Sequence, residues 1–521
     1  MLGKVHISQE LSVHTGTMHL LGLLGLLNVK TVLVGGAVFL LVMSLLQRKK
    51  YKLPPGPPQL PILGNYLEFK NDGRFYAVFD KLGKAFGDIF TVNLGFGNKM
   101  VVLKSANIVH EAMVEKKEIF AGRGAMSWKY ELFSGGYKDI VLTDYGPVWR
   151  LQRQMALKAF RTYVSSDKLE TFTKSAFDDM AALIEKETKP FDIDAHIRLL
   201  VFNVVCRMAF GQCYKMDQPE FIWLKFIVDE TMHEVFGGLI PSDVITTLKH
   251  LPIPSSLLAK RLQKNLIRFH EVQLAEHKKT FNSDDVRDVM DHLLLLKKEL
   301  TNESDDNVKE SLSDTRILYI MLDIFFAGTS TTSDTLKWMI LYVAAHPKVQ
   351  EQLHKELDDL GKDFDNLRHC KSKLPYCEAV QREVLRMRPP APAGLPHQTL
   401  RDTKLGGYDI PKGTLVSVNI WAIHHDPNNW ESPEVFKPER FLDNDGSLKE
   451  VDNKIWLPFS SGKRKCIGEG IARVNLMMIS ALFFRQFKVS FPPGQEPDFE
   501  PAKIELTCTP KPQKILVQKR K

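Results

Sequence analysis

The chain has 521 residues, 44% of them hydrophobic and 25% charged, a composition that excludes a disordered or fibrous protein and allows a large core. Its net charge of +8 is spread along the sequence with no concentrated Lys/Arg stripe, so nucleic acid is not an expected partner, whereas an acidic protein or an anionic membrane surface is. Six cysteines, none in a C-x-x-C pair, are too few for a disulfide scaffold and point to a reducing compartment.

The amino-terminal part departs from the globular pattern. Residues 1–28 hold one short apolar run, Leu20 to Leu27, and are read as a lumenal segment. Thr31 to Leu46 carries no charge, and Arg48, Lys49, Lys50 and Lys52 follow at once. At ~1.5 Å per residue, residues 29–47 just span a bilayer core. A cleaved signal peptide would carry its basic residues before the apolar run, and here they come after it. The pattern predicts an uncleaved transmembrane anchor over 29–47 with the following chain cytoplasmic, because basic flanks stay on that side. Residues 48–65 form a basic, proline-rich spacer, in which Pro54, Pro55, Pro57, Pro58 and Pro61 fix φ and resist helix.

Residues 66–521 are read as one domain, mainly α with small β-sheets. Asp88 to Leu94 and Lys99 to Leu103 predict a hairpin about Gly95–Asn98. The middle third is helix-dominated, and the charged stretch Asn302 to Lys309 reads as a loop. The longest helix signal starts at the N-cap pair Ser313-Asp314 and stops at His346-Pro347, a span of ~45 Å. Its stretch from Ile317 to Phe326 is apolar nearly all round, which makes it central and buried. Another helix stops at Arg388-Pro389-Pro390. Thr399 to Ile423 reads as short strands broken at Gly406-Gly407 and Pro411-Lys412-Gly413, and a last helix is expected from about Ile467 to Phe487.

The strongest chemical signal is Phe459-Ser-Ser-Gly462-Lys-Arg464-Lys-Cys466-Ile-Gly468, just ahead of that last helix. A cysteine there faces unpaired backbone N–H groups and the positive end of the helix dipole, which favour thiolate, the form that ligates iron. Arg464 suits a carboxylate of a bound cofactor. Inside the long helix, Ala327-Gly328-Thr329-Ser330-Thr331-Thr332 is a poor choice for a buried helix interior. Its hydroxyls either bond back to their own i−4 carbonyls or mark a bulge with a working role. Glu383 and Arg386, at i and i+3, face the same side of a helix and can pair. Trp149 and Arg153, at i and i+4, offer two donors on one helix face. His424-His425 lacks metal-ligand partners at suitable spacing and reads as a strand-end loop.

Taken together these segments resemble the cytochrome P-450 family. The cysteine decapeptide matches its F-x-x-G-x-R-x-C-x-G at every fixed position, Glu383–Arg386 its E-x-x-R, Pro438-Glu439-Arg440-Phe441 its P-E-R-F, and Trp149–Arg153 its W-x-x-x-R. Ala327–Thr332 matches A-G-x-[D/E]-T-[T/S] except that Ser330 stands where the family has a carboxylate. The variable segments are similar to animal microsomal members, in the group of steroid 17α-hydroxylase and the aryl-hydrocarbon and drug hydroxylases. The resemblance implies haem b (iron protoporphyrin IX) with Cys466 as its axial metal ligand, thiolate ligation favouring O–O cleavage. It implies cofactor binding by Trp149, Arg153, His397, Phe459 and Arg464, and proton delivery by Thr331 beside a bulge, with Ser330 leaving the route in question. Glu383, Arg386 and Arg440 would form a structural network. Ala327, Gly328, Ala391 and Leu395 would line a substrate pocket, together with segments Phe120–Phe133 and Phe221–Phe236 and the region of Leu506.

The activity so implied is a monooxygenase that uses O₂ and NADPH-derived electrons to hydroxylate a lipophilic small molecule, steroid-like as the first expectation and fatty acid or xenobiotic as the others. The implied partners are NADPH–P-450 reductase, docking near Lys463 and Lys465, with cytochrome b5 as a further candidate, on the endoplasmic reticulum membrane. Two rivals remain open. A haem-thiolate isomerase of hydroperoxides or endoperoxides would need no NADPH, and a non-catalytic haem-binding membrane protein would not need Thr331.

Overall fold

A computed structural model describes residues 34–36, 38, 51–60, 63–70, 74–95, 98–124, 127–237, 241–244, 246–300, 306–502 and 507–520. The anchor expected over 29–47 lies outside these residues except for 34–36 and 38, which are helical and exposed. Among the described residues no helix is long and apolar enough to cross a membrane.

The proline-rich segment does not stand off from the body. The carbonyl of Pro55 accepts from Thr91 N at 2.7 Å, and Lys52 O accepts from Asp409 N at 2.8 Å. Gly56 runs so close to Thr91 that a Cβ there would sit 1.9 Å from the Thr91 carbonyl oxygen. Its extended chain is thereby laid along the first sheet.

After helix α1 (Phe75–Phe86) come β1 (Ile89–Asn93) and β2 (Lys99–Leu103), antiparallel from Ile89 opposite Leu103 to Asn93 opposite Lys99. The helical body follows with α2 (Pro147–Ser165), α3 (Lys168–Ile184), α4 (Asp194–Phe210), α5 (Pro219–Glu230), α6 (Pro254–Thr280), α7 (Val289–Glu299), α8 (Asp314–Ala345) and α9 (Pro375–Met387). Strands β3 (His397–Gln398) and β4 (Leu415–Val418) return to the first sheet, whose order is β1-β2-β4-β3. Between them Thr403–Leu405 and Tyr408–Ile410 pair about Gly406-Gly407, and the last helix is α10 (Glu469–Gln486).

Helix α8 begins where its cap predicts, with Ser313 Oγ accepting from Arg316 N, and ends before His346-Pro347. It is 32 residues long and buried on nearly every side, with Trp338, Phe325, Ile317 and Met321 at 0–1% exposure. It packs on α4, itself buried from Leu199 to Cys206 because its sequence has no polar stripe. Two sequence expectations are corrected. The charged stretch near residue 306 forms a helix, Asp306–Ser311, held by the Glu310–Arg316 ion pair at 2.7 Å. His424 closes a short helix, Ile420–His424, rather than a strand.

Candidate active site

Cys466 lies three residues before α10, in a loop shaped by close backbone approaches. Gly462 has φ +72, and a Cβ on it would meet the Met113 carbonyl oxygen at 1.9 Å, so no other residue fits. Cys466 N donates to Phe459 O at 2.9 Å, which folds the loop over itself. Phe459 is half-buried against the cluster of Trp430, Phe441 and Trp456. Cys466 itself is exposed, while Cys206, Cys370, Cys377 and Cys508 are buried. Its sulfur nonetheless lies deep among protein atoms. That burial pushes the thiol up, against the Gly468 and Glu469 N–H groups and the Arg153 charge, which pull it down. The electropositive setting read from sequence is present, and desolvation outweighs it for the free thiol. A bound cation at the sulfur reverses that balance.

Beside the cysteine loop four basic side chains gather round one place. Arg464 donates to Ala121 O at 2.8 Å, Ile140 O at 3.3 Å and Thr143 O at 2.6 Å. Arg123 donates to Val141 O at 3.0 Å, Leu395 O at 2.9 Å and Pro396 O at 2.8 Å. Arg153 donates to Lys465 O, and His397 Nδ1 shares a hydrogen with Phe120 O at 2.8 Å. Trp149 is the platform for this group. Arg464 stacks on its ring at 4.1 Å and Arg153 at 5.6 Å, while its indole N–H is spent on Ile140 O at 2.8 Å.

Among the described residues neither Arg123 nor Arg464 forms an ion pair with a carboxylate. Burial, and then the neighbouring guanidinium, pull Arg464 down to about 8; burial pulls Arg123 down to about 10. His397 is pushed well below its ordinary range by burial and by both arginines. Asp139 and Asp144 lie near enough to favour both charges, yet the guanidinium groups bond to carbonyls, so burial still outweighs what the acids supply. Buried cations held in this way form a receptor for an anionic group, and haem carboxylates beside the cysteine loop fit that description.

Helix α8 carries the second part of the site read from sequence. Along an otherwise buried stretch Ala327 is exposed and Gly328 and Thr331 are half-buried, so one face of the helix opens at i, i+1 and i+4. The bulge expected there is absent: α8 is a continuous α-helix. The hydroxyls of Thr329, Thr331, Ser333 and Thr335 bond to the carbonyls of Phe325, Ala327, Thr329 and Thr331 at 2.6–2.8 Å, which satisfies them without breaking the ladder. Ser330 faces the other way, at 4% exposure. Ala391 and Leu395 are half-buried, whereas Leu506 lies outside the described residues. Tyr130 and Phe133, with Phe236 at 5.6 and 5.1 Å, make an aromatic cluster between the two predicted pocket segments.

The network read from E-x-x-R and P-E-R-F is assembled in full. Glu383 accepts from Arg386 Nε at 2.8 Å and Nη2 at 2.9 Å, from Arg440 Nε at 3.1 Å and from Lys437 N at 2.9 Å. Arg386 donates on to His424 O at 2.8 Å, and His424 Nε2 accepts from Leu457 N at 2.8 Å. Leu457 is two residues from Phe459, so the chain of bonds ends in the cysteine loop.

Sequence reasoning missed Arg123, Asp139 and Asp323. Asp323 breaks the apolar stretch of α8 and accepts from Ile140 N at 2.8 Å and Val141 N at 3.2 Å, while Asp139 accepts from Leu142 N at 3.0 Å. Burial raises both carboxyls, and the charge of Asp139 raises Asp323 further. These bonds hold the turn whose carbonyls receive Arg123, Arg464 and Trp149. A single charge inside an apolar run, Phe120-Ala-Gly-Arg123 or Leu322-Asp323-Ile324, was the available signal.

The comparisons with known proteins agree with this geometry. The cytochrome P450 family model matches residues 54–517. Steroid 17-alpha-hydroxylase/17,20 lyase of Squalus acanthias is 30% identical over 484 residues, covering 90% of this chain and 92% of the relative. Cytochrome P450 1A1 of Limanda limanda is 33% identical over 504 residues, covering 92% and 95%. A solved zebra fish cytochrome P450 with progesterone superposes with a TM-score of 0.74 at 30% identity, over 85% of this chain and 99% of that one. The chain belongs to the cytochrome P450 family, and it is an oxidoreductase of the monooxygenase type.

Proposed function

We propose that this monooxygenase holds haem b with Cys466 as the iron ligand and hydroxylates a steroid-like lipophilic molecule with electrons from NADPH. The observation that carries the reading is the pair of buried guanidinium cations, Arg123 and Arg464, gathered with His397 beside the Cys466 loop. Arg123, Arg153, Arg464 and His397 would hold the two carboxylates, with Trp149 orienting the arginines. The haem supplies dioxygen activation when bound. Opposite it, Thr331 Oγ1 would leave Ala327 O to donate a proton into the cleft. Ala327, Gly328, Ala391 and Leu395, with the Tyr130–Phe236 cluster, would present an apolar surface to the substrate.

The steroid-like substrate class rests on the similarity to a steroid 17α-hydroxylase and to a solved relative with progesterone. Electron delivery by a membrane-bound NADPH–P-450 reductase is supported by a cleft of about 700 Å³ lined by Arg150, Arg153, Lys158, Arg161 and Lys463 against Glu299. It lies on the cysteine side, where a basic surface suits an acidic donor. Cytochrome b5 is proposed as a second donor. An anchor over residues 29–47, read from the sequence, and the similarity to steroid 17-alpha-hydroxylase and cytochrome P450 1A1 support a location on the endoplasmic reticulum membrane. The test is a titration of the purified ferric protein with progesterone and with planar polycyclic aromatics, scored by the shift to high spin, followed by product analysis with NADPH and reductase. High-spin conversion and hydroxylated product from the steroid support the reading. Turnover of hydroperoxides with no NADPH requirement would replace it with the isomerase, a reading that Ser330 at the usual acid position favours.

A further inference from the structure

The departure at Ser330 has a counterpart one turn along the same helix. Asp334 is four residues on, on the same face of α8, and is 2% exposed. Its Oδ2 accepts from Thr507 Oγ1 at 2.8 Å and Thr509 Oγ1 at 3.0 Å, and its Oδ1 lies 2.9 Å from Lys337 Nζ. Lys337 Nζ also reaches Asp194 Oδ1 at 2.8 Å. Asp194 pairs with Arg198 at 3.0 Å, and Arg198 with Asp229 at 2.9 Å. The side chains of Asp194 and Asp229 are 29% and 32% exposed, so a line of charged groups runs from the interior of α8 to solvent. Ser330 Oγ is buried and, among the described residues, has no hydrogen-bond partner. Leaving such a hydroxyl unmet is destabilising, and a bridging water removes that cost.

We infer that Asp334 is the relocated acid of the proton-delivery path: Asp334 carries the charge that Ser330 lacks, and Ser330 Oγ hands protons from an Asp334-bound water towards Thr331. This rests on the monooxygenase reading above. A proton reaching Asp334 from solvent passes through that water to Ser330 Oγ and, by a further water, on to Thr331 Oγ1, each oxygen giving up one proton as it takes one. It acts through Ser330 and Thr331, so it is a positioning residue and touches no substrate.

The competing account is a purely structural one, in which Asp334 only ties α8 to Lys337 and to the Thr507–Thr509 segment. The two separate under compensation, because a carboxylate moved back to position 330 restores the charge but not those ties. The experiment measures NADPH consumed, peroxide released and product formed with reductase and a turned-over steroid. It is run for wild type, Asp334→Asn, Ser330→Asp/Asp334→Asn and Thr507→Val/Thr509→Val, each with its reduced carbon-monoxide band and thermal midpoint. Proton-transfer assistance spans ~10²–10⁴-fold, and Thr331 remains, so Asp334→Asn is expected to raise peroxide per product by about tenfold. The double acid swap should return it to the wild-type ratio, and the threonine pair should lower the thermal midpoint while staying coupled. If Asp334→Asn does not fold, the comparison is made in Asp334→Asn/Lys337→Gln, where no ammonium is left buried against a lost partner. Wild-type coupling in Asp334→Asn overturns the inference, as does uncoupling that the swap does not reverse or that the threonine pair reproduces. A wild type that consumes no NADPH overturns it together with the proposed function, which tells the two failures apart.

Discussion

Replacing Glu383 by Gln keeps the shape of the side chain and removes its charge from a fully buried ion network. Glu383 and Arg386 are both 0% exposed, and Arg440 is 8% exposed at its side chain. The carboxylate accepts two bonds from Arg386, one from Arg440 and one from Lys437 N. A glutamine offers one oxygen for them and sets its NH₂ against a guanidinium N–H, donor to donor. Arg386 would then be a buried cation with carbonyls alone around it. Removing one partner of a buried pair costs about 3–5 kcal/mol. At about 1.4 kcal/mol per factor of ten, this lowers the folding equilibrium constant by about two to four powers of ten. A domain's whole stability is about 5–15 kcal/mol, so the loss is a large share. The assay is denaturant unfolding followed by circular dichroism, with the reduced carbon-monoxide band read in parallel. The band should fail at lower denaturant, because the network reaches the cysteine loop through His424 and Leu457. A midpoint shifted by less than about 0.5 kcal/mol, the scatter of ordinary surface changes, would refute the reasoning. So would a variant that unfolds like the wild type and has lost turnover, since nothing in the network faces the cleft.

Cys466→Ala should abolish the thiolate-type reduced carbon-monoxide band without changing far-ultraviolet dichroism; an unaltered band would show that another residue ligates the iron. Arg123→Met removes one charged donor from the cation cluster, and a charged hydrogen bond is worth about 1.5–3 kcal/mol, so haem transfer to apomyoglobin should become about ten- to a hundredfold more favourable. Deleting residues 1–47 should leave the haem band intact, because the spacer that follows is bonded to the body at Lys52 and Pro55. Release from membranes should be incomplete, since Leu60, Leu67, Leu251 and Leu257 are 46–53% exposed; complete release would remove that surface as a membrane contact. His277 is lowered by burial but raised more by its 2.9 Å bond to Asp288 and that residue's charge, so it stands above its ordinary value. Its stabilisation is full below the unfolded histidine's value near 6.5 and fades as pH rises through the raised value. Comparing wild type with His277→Leu between pH 5.5 and pH 8 should show the stability gap narrowing upward; a gap that widens would reverse the assignment.

Much of the site could be read from residues in order, because its parts are local in sequence. A cysteine three places before a helix and a Glu–Arg pair at i, i+3 are both decided within a turn or two of chain. The same holds for α8, whose Ser313 cap and terminal His346-Pro347 are local signals, and for the hairpin at Ile89–Leu103. The spacing of Trp149 and Arg153 also put both on one helix face, but not what they would touch: the indole turned to Ile140 and became a platform for Arg464 from more than three hundred residues away.

Tertiary structure alone decided the long-range electrostatics. Arg123 and Arg464 share one buried place because the turn at 139–143 is held against α8 by Asp323, and no periodicity in the sequence encodes that meeting. Asp334 likewise acquires Lys337, Thr507 and Thr509 only when the C-terminal segment folds back on α8. Apolar periodicity records which side of an element faces a core, since burying that side is where most of the free energy lies. It carries no record of which charges meet there, because a buried charge is set by partners brought together from the whole chain.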